Sequence, residues 1–181
     1  FLLGMTASPE RTDGYDLYNL FYHNIVYEIR LEQALEEDLL CPFHYFGISD
    51  LWIEGKEINL EEDNISFSNL SEGERVDKII EKIRYFGHSG SRVKGLVFCS
   101  NKKEAKELSD AFNLRMFRTI SLTGDDSQAK REDAIARLTG TGAYQGFVDD
   151  QLDYIFTVDI FNEGVDIPEV NQVIMLRQTE S

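Results

Sequence analysis

The chain has 181 residues, 42% of them hydrophobic, with a single Trp and a formal net charge of −15; this is long enough for one well-buried core and too apolar for a disordered tail. No apolar run approaches the ~20 residues that a membrane span needs, and Phe1-Leu2-Leu3-Gly4-Met5 lacks the basic flank and length of a secretory signal, so a cytoplasmic protein with no membrane partner is expected. The acidic excess argues against a basic surface over the whole chain, yet it is uneven, with eleven acidic and two basic residues in 28–63 against eleven and fourteen in 71–140. The second segment permits a groove for phosphates, and equally permits ordinary solvated helix faces.

Residues 31–40 read as a short acidic helix that Pro42 should stop, because the residue before proline resists the helical region. Residues 43–48 look like a strand and 54–69 like a polar connection or hairpin. The spacing of Val76, Ile79, Ile80 and Ile83 predicts a helix over 74–86. A buried strand is expected at 95–99, bounded by Gly95 and by Ser100-Asn101. Asn101 can cap a helix over 102–112 whose Ala105, Leu108, Ala111 and Phe112 share one face. A second strand at 118–122 runs into Thr123-Gly124-Asp125-Asp126-Ser127, a turn with helix-starting chemistry. The helix that follows, 128–138, carries Ala134, Ile135 and Leu138 inward. Gly140, Gly142 and Gly146 mark 139–151 as a mobile surface loop, before strands at 152–158 and 172–176. Strand alternating with helix gives an α/β fold, a parallel sheet with helices on both faces. Cys41 and Cys99 lack CxxC spacing, which leaves them as small core residues rather than a disulfide or zinc pair. His23, His44 and His88 form no metal or catalytic pattern.

The densest functional signal is the block Phe156-Thr157-Val158-Asp159-Ile160-Phe161-Asn162-Glu163-Gly164-Val165-Asp166-Ile167-Pro168. A buried strand ends there in a polar loop, and ligands of open α/β sheets bind outside the carboxyl ends of strands. Gly164 allows close backbone approach, and Asp166 can accept hydrogen bonds from a ribose hydroxyl. The block resembles motif V of superfamily II DEAD/DEAH-like helicases, in the Glu-Gly-x-Asp-x-Pro form of restriction-type and DNA-repair members. The opening Thr6-Ala7-Ser8-Pro9 is similar to motif III, the interlobe coupling segment. Leu96 to Lys102 resembles motif IV, and Leu122-Thr123-Gly124 the segment that contacts a phosphate backbone. Leu176-Arg177-Gln178 is similar to the start of motif VI.

The resemblance implies a RecA-like, P-loop NTPase-type sheet forming the C-terminal lobe of a helicase. Residues 1–38 would be the tail of the first RecA-like lobe with the interlobe linker, and 39–181 the second lobe, stopping short of a complete motif VI. It further implies an ATP-dependent helicase or translocase in the full-length protein, acting on DNA in preference to RNA and paired with the first lobe of the same chain. Glu163, Gly164 and Asp166 would face ATP, while Ser100, Asn101, Thr123, Gly124 and Thr157 would face the nucleic acid. Helix capping alone accounts equally well for Ser100, Asn101, Thr123 and Gly124, and Arg131 is either a phosphate contact or a solvated arginine. The Gly-Lys-Thr phosphate loop and the Asp-Glu pair that hold triphosphate and Mg²⁺ do not occur in these residues. The chain is therefore expected to be a fragment, to hold no cofactor alone and to hydrolyse no ATP. Two rivals remain: a protein-docking module using the acidic 28–63 region, and an unrelated α/β nucleotide enzyme. The second is disfavoured because Gly87-His88-Ser89-Gly90 lies between a helix and a strand, the wrong order for a phosphate loop.

Overall fold

Two compact units make up the chain, residues 1–48 and 49–181. The computed structural model describes residues 2–6, 9, 15–47, 50–53, 56–59, 72–161 and 166–176. Ala7, Ser8, Asn162, Glu163, Gly164 and residues 177–181 lie outside the described residues.

In the first unit α1 (Leu17–Leu20) is started by Asp16, whose carboxylate accepts the Asn19 N–H at 3.2 Å. Helix α2 (Leu31–Glu36) is shorter than expected. Asp38 takes a left-handed φ of 55°, and the Leu39 N–H turns back onto the Ala34 carbonyl at 2.9 Å, which ends the helix before Pro42 is reached. The strand expected from residue 43 is not formed over 43–47. Phe43, Tyr45 and Phe46 are exposed, and an apolar run becomes a strand only when a neighbour supplies the hydrogen-bond ladder. Cys41 is exposed as well, contrary to the core position expected of it.

The second unit begins with an antiparallel hairpin, β1 (Asp50–Ile53) and β2 (Lys56–Asn59), in register from Asp50 opposite Asn59 to Ile53 opposite Lys56. It continues as α3 (Glu72–Phe86), β3 (Gly95–Phe98), α4 (Lys102–Asn113), β4 (Thr119–Leu122), α5 (Gln128–Thr139), β5 (Tyr154–Thr157) and β6 (Gln172–Met175). The four later strands form one parallel sheet in the order β4-β5-β3-β6. Among the described residues no helix is long and apolar enough to cross a membrane.

The side-chain period of two divides the core between the two faces of this sheet. On one face Val97 and Cys99 from the β3 segment and Tyr154, Phe156 and Val158 from the β5 segment pack with Val76, Ile79, Ile80 and Ile83 of α3 and Ala105, Leu108 and Phe112 of α4. On the other, Leu96, Phe98, Leu122 and Ile155 meet Ala134 and Leu138 of α5. Phe112 sets its ring edge-on to Tyr154 and Phe156, with centroids 5.9 and 5.0 Å away. Gly95 is required at the start of β3, because a Cβ there would lie 2.2 Å from the Tyr154 ring.

The stretch 139–151, expected to be a mobile surface loop, is largely exposed and carries short turns tied by side-chain bonds. Gly140 caps α5 at a left-handed φ of 73°. Two 3₁₀ turns follow, Gly142–Tyr144 and Val148–Asp150. The Tyr144 hydroxyl bonds the Asp133 carboxylate, Gln151 Nε2 donates to the Tyr144 carbonyl at 2.9 Å, and Arg137 Nε donates to the Asp150 carbonyl at 2.9 Å. The glycines supply the turns, and these side chains hold them.

The amino end of the sheet is closed by internal bonds. Arg118 donates to both carboxylate oxygens of Asp153, at 2.8 and 3.2 Å, and Asn171 bonds Lys94 N–H, Ser89 O and Arg92 O. The Tyr154 hydroxyl donates to Gln172 Oε1 at 2.7 Å. A ligand-binding edge is left to the opposite, carboxyl end.

Candidate nucleotide and nucleic-acid edge

The strand order places the carboxyl ends of β3 and β5 side by side, although β3 leads by α4 to β4 while the chain leaving β5 passes to β6 on the other flank. Adjacent strands whose connections depart in opposite directions open a crevice between their loops, the usual ligand position in such sheets. Three described loops reach this edge: Cys99-Ser100-Asn101 after β3, Thr123-Gly124-Asp125 after β4, and Val158-Asp159-Ile160-Phe161 after β5.

In the first loop, Asn101 caps α4 by accepting the Glu104 N–H at 2.9 Å. Glu104 reaches back and accepts the Ser100 N–H at 2.6 Å. Its other carboxylate oxygen pairs with the Arg75 guanidinium of α3, in a bridge whose side chains are only 11% and 17% exposed. Glu104 thus ties the loop to a neighbouring helix as well as to its own. Beneath it, burial pushes the Cys99 thiol up to about 12, and the Glu104 carboxylate adds to that rise.

The second loop has the same economy. Asp126 accepts the Thr123 N–H at 2.7 Å and pairs with Lys130 at 2.6 Å. Lys130 first, and the Thr123 N–H after it, hold the Asp126 carboxyl below the usual aspartate range against the cost of burial. Arg131 donates to the Gly124 carbonyl at 2.7 Å, which places it as a brace of the turn. Lys102 of α4 pairs with Asp125 and joins the two loops across the edge.

In the third loop Asp159 and Phe161 adopt left-handed φ values of 55° and 65°. Such conformations cost a non-glycine residue of order 1 kcal/mol or more and need support from their surroundings. Ile160 and Phe161 supply it by packing on the α5-side core. Thr157 is wholly buried, and its hydroxyl donates to the Ile160 carbonyl at 3.2 Å. It fixes the junction of strand and loop and presents no hydroxyl to the surface in this conformation.

The structure therefore brings Ser100, Asn101, Thr123 and Gly124 to one edge, linked by Lys102 and Asp125. Asp166 is exposed beyond β5, and Thr6 is exposed within the first unit. Glu163, Gly164, Ala7 and Ser8 lie outside the described residues. Sequence reasoning missed Glu104 and Asp126, although Asn101-x-x-Glu104 carries the spacing of a helix-start pair and Asp126 stands just before Ser127, the cap of α5. No sequence signal marks Arg75, which lies 29 residues from Glu104. Among the described residues no group of three or more His, Cys, Asp and Glu could hold a metal ion.

Comparison with known proteins agrees with this geometry. The chain is 21% identical over 184 residues to the putative ATP-dependent helicase IRC3 of Saccharomyces cerevisiae, covering 99% of this chain and 25% of the relative. It is 28% identical over 109 residues to the probable ATP-dependent RNA helicase MJ0669 of Methanocaldococcus jannaschii, covering 60% and 26%. To the probable ATP-dependent RNA helicase ddx41 of Dictyostelium discoideum it is 32% identical over 79 residues, covering 44% and 10%. The chain spans about a quarter or less of the length of these relatives. Residues 74–181 match the helicase conserved C-terminal domain, a region that takes in the whole parallel sheet with α4, α5 and all but the first turn of α3, so the four-stranded α/β unit has the RecA-like architecture and the chain belongs to the family of superfamily II helicase C-terminal lobes.

Proposed function

We propose that this lobe is the C-terminal half of a motor that couples ATP hydrolysis to movement along DNA, in a cytoplasmic full-length protein whose first RecA-like lobe carries the phosphate loop and the Mg²⁺ ligands. The observation that carries the reading is the gathering of the β3, β4 and β5 loops at one sheet edge, across the point where the connections diverge. Ser100, Asn101, Thr123 and Gly124 form the side that follows the nucleic-acid backbone. Glu163, Gly164 and exposed Asp166 are the residues assigned to the nucleotide in this reading, with Asp166 accepting from a ribose hydroxyl. Opening and closing of the cleft between the lobes moves the two grips relative to each other. Contacts of this kind position a strand without reading its bases, so sequence preference from this lobe is weak.

DNA is proposed over RNA on the Glu163-Gly164-Val165-Asp166-Ile167-Pro168 pattern of restriction-type members. The relative matched along nearly the whole chain is named a helicase without mention of RNA, while six shorter matches are named RNA helicases. ATP hydrolysis by the full-length protein, measured with single-stranded DNA, duplex DNA and RNA in turn, tests the reading. DNA should stimulate hydrolysis most, and Asp166→Ala should reduce the stimulated rate at least tenfold, while these 181 residues alone hydrolyse nothing. Stimulation by RNA alone would reassign the substrate. No stimulation by any nucleic acid would remove the motor reading and favour a docking role for the acidic 28–63 region, in which Glu32, Glu36 and Glu37 are exposed.

A further inference from the structure

Three donors at the nucleic-acid side of this edge are held by the chain's own carboxylates. The Ser100 N–H is taken by Glu104, the Thr123 N–H by Asp126 and the Lys102 ammonium by Asp125. These three contacts differ in how easily they yield. Glu104 is 11% exposed and locked by Arg75, and Asp126 is 19% exposed and locked by Lys130, so both are built into the fold. The third pair lies open, with Lys102 59% and Asp125 77% exposed. An exposed ion pair contributes little to stability and is exchanged readily for another anion of better geometry.

Neighbouring cations are turned to other partners, none of which joins the two loops. Lys130 is held by Asp126, and Arg131 donates to the Gly124 carbonyl. Lys103 points along its own helix to Glu107. We propose that Lys102 is the phosphate-gripping cation of this lobe and that Asp125 is an internal competitor, its carboxylate standing where a backbone phosphate sits when the strand is bound. The competitor comes from the loop after β4 and the cation from the start of α4, so the exchange also uncouples the two loops as the strand enters. The Lys102 charge is thereby compensated when the edge is empty, and grip on the strand is weakened to a level a moving motor can release.

This inference rests on the motor reading above and deepens it. The test measures binding of a fluorescent oligo(dT) strand by the full-length protein across a salt series, for wild type, Asp125→Asn, Lys102→Ala and the double variant, with Asp125→Ser and Lys102→Arg as second substitutions at each position. Loss of competition should tighten binding by about twofold to fivefold in Asp125→Asn, the span set by the usual worth of an exposed pair. Lys102→Ala should weaken binding and reduce the slope of log affinity against log salt by about 0.7, one phosphate contact on a single strand, with Lys102→Arg restoring both. The decisive comparison is the double variant, where Asp125→Asn should have no further effect because its target is gone. If Asp125→Asn tightens binding equally with and without Lys102, the effect is general charge and the proposal is overturned. It is equally overturned if Asp125→Asn and Asp125→Ser change nothing while wild type binds. Affinity for a fluorescent ATP analogue without DNA should be the same in all variants; a change there instead of in strand binding would also overturn it. Failure of wild type to bind any strand would remove the underlying motor reading, a distinct result.

Discussion

Glu104 joins the stability of the lobe to the shape of its candidate nucleic-acid loop, and replacing it separates these contributions. In Glu104→Ala the Ser100 N–H loses its acceptor and the Arg75 guanidinium loses its carboxylate. A hydrogen bond to a charged group contributes about 1.5–3 kcal/mol, and removing one partner of a fully buried ion pair costs about 3–5 kcal/mol. Arg75 is 17% exposed and can reach some water, so the expected loss is about 2–3 kcal/mol, below the fully buried range. Glu104→Gln keeps a neutral acceptor and should lose about 1 kcal/mol. Urea unfolding of the chain measures both, and the change should fall in the midpoint with the slope unaltered. Arg75→Met, alone and combined with Glu104→Ala, completes a double-mutant cycle whose coupling should be about 1–2 kcal/mol. Hydrogen exchange supplies the local readout, since the Ser100 amide should lose protection in Glu104→Ala. A loss below about 0.5 kcal/mol, or additivity within about 0.5 kcal/mol, would refute the claim that this pair fastens the loop to α3.

Two further outcomes are expected. Gly95→Ala should lower stability by roughly 2 kcal/mol or more, because the added methyl meets the wholly buried Tyr154 ring at 2.2 Å; Gly124→Ala, with open space at its Cβ, should change the midpoint little, and equal effects would contradict the packing argument. The Cys99 thiol, pushed up to about 12 by burial, ionises far more readily in the unfolded chain, near pH 8.5. A raised folded pKa stabilises below the unfolded value and is lost as pH rises, so stability should fall from about pH 8.5 upward at close to 1.4 kcal/mol per pH unit. Unfolding of Cys99→Ala between about pH 8.5 and 10 should show a flatter limb than wild type.

The helices and strands of the second unit were legible because their signals are local. Val76, Ile79, Ile80 and Ile83 repeat at helical spacing, and Asn101 and Ser127 stand at helix starts. Gly95 and Gly140 bound elements where a side chain would clash or the backbone turns left-handed. What failed depended on distant partners. Phe43, Tyr45 and Phe46 have the composition of a strand and remain exposed, and Cys41, apolar in its local setting, is exposed with them. The glycines of 139–151 signalled turns, while the bonds that tie those turns come from Asp133, Arg137 and Gln151, which lie outside or at the margin of that stretch.

The candidate edge shows the same division at the level of single atoms. From sequence, Asn101 and Thr123 suit helix capping and phosphate contact equally, since both uses call for a small polar group at the start of a helix. The structure commits the Asn101 side-chain oxygen to the Glu104 N–H and the Thr123 N–H to Asp126. A strand arriving at this edge meets two backbone donors, the Ser100 and Thr123 N–H groups, already used, and it displaces a carboxylate readily only where the donor is exchangeable. Exchangeability depends on exposure and on the partner's own anchoring, neither of which is a property of one residue's identity. Asp125 and Asp126 are adjacent aspartates in the sequence, yet one is 77% exposed on a lysine across the loop and the other 19% exposed beneath Lys130 and Thr123. Only the first can leave its partner at low cost, and Lys102 is therefore the group at which the fold and a phosphate backbone compete.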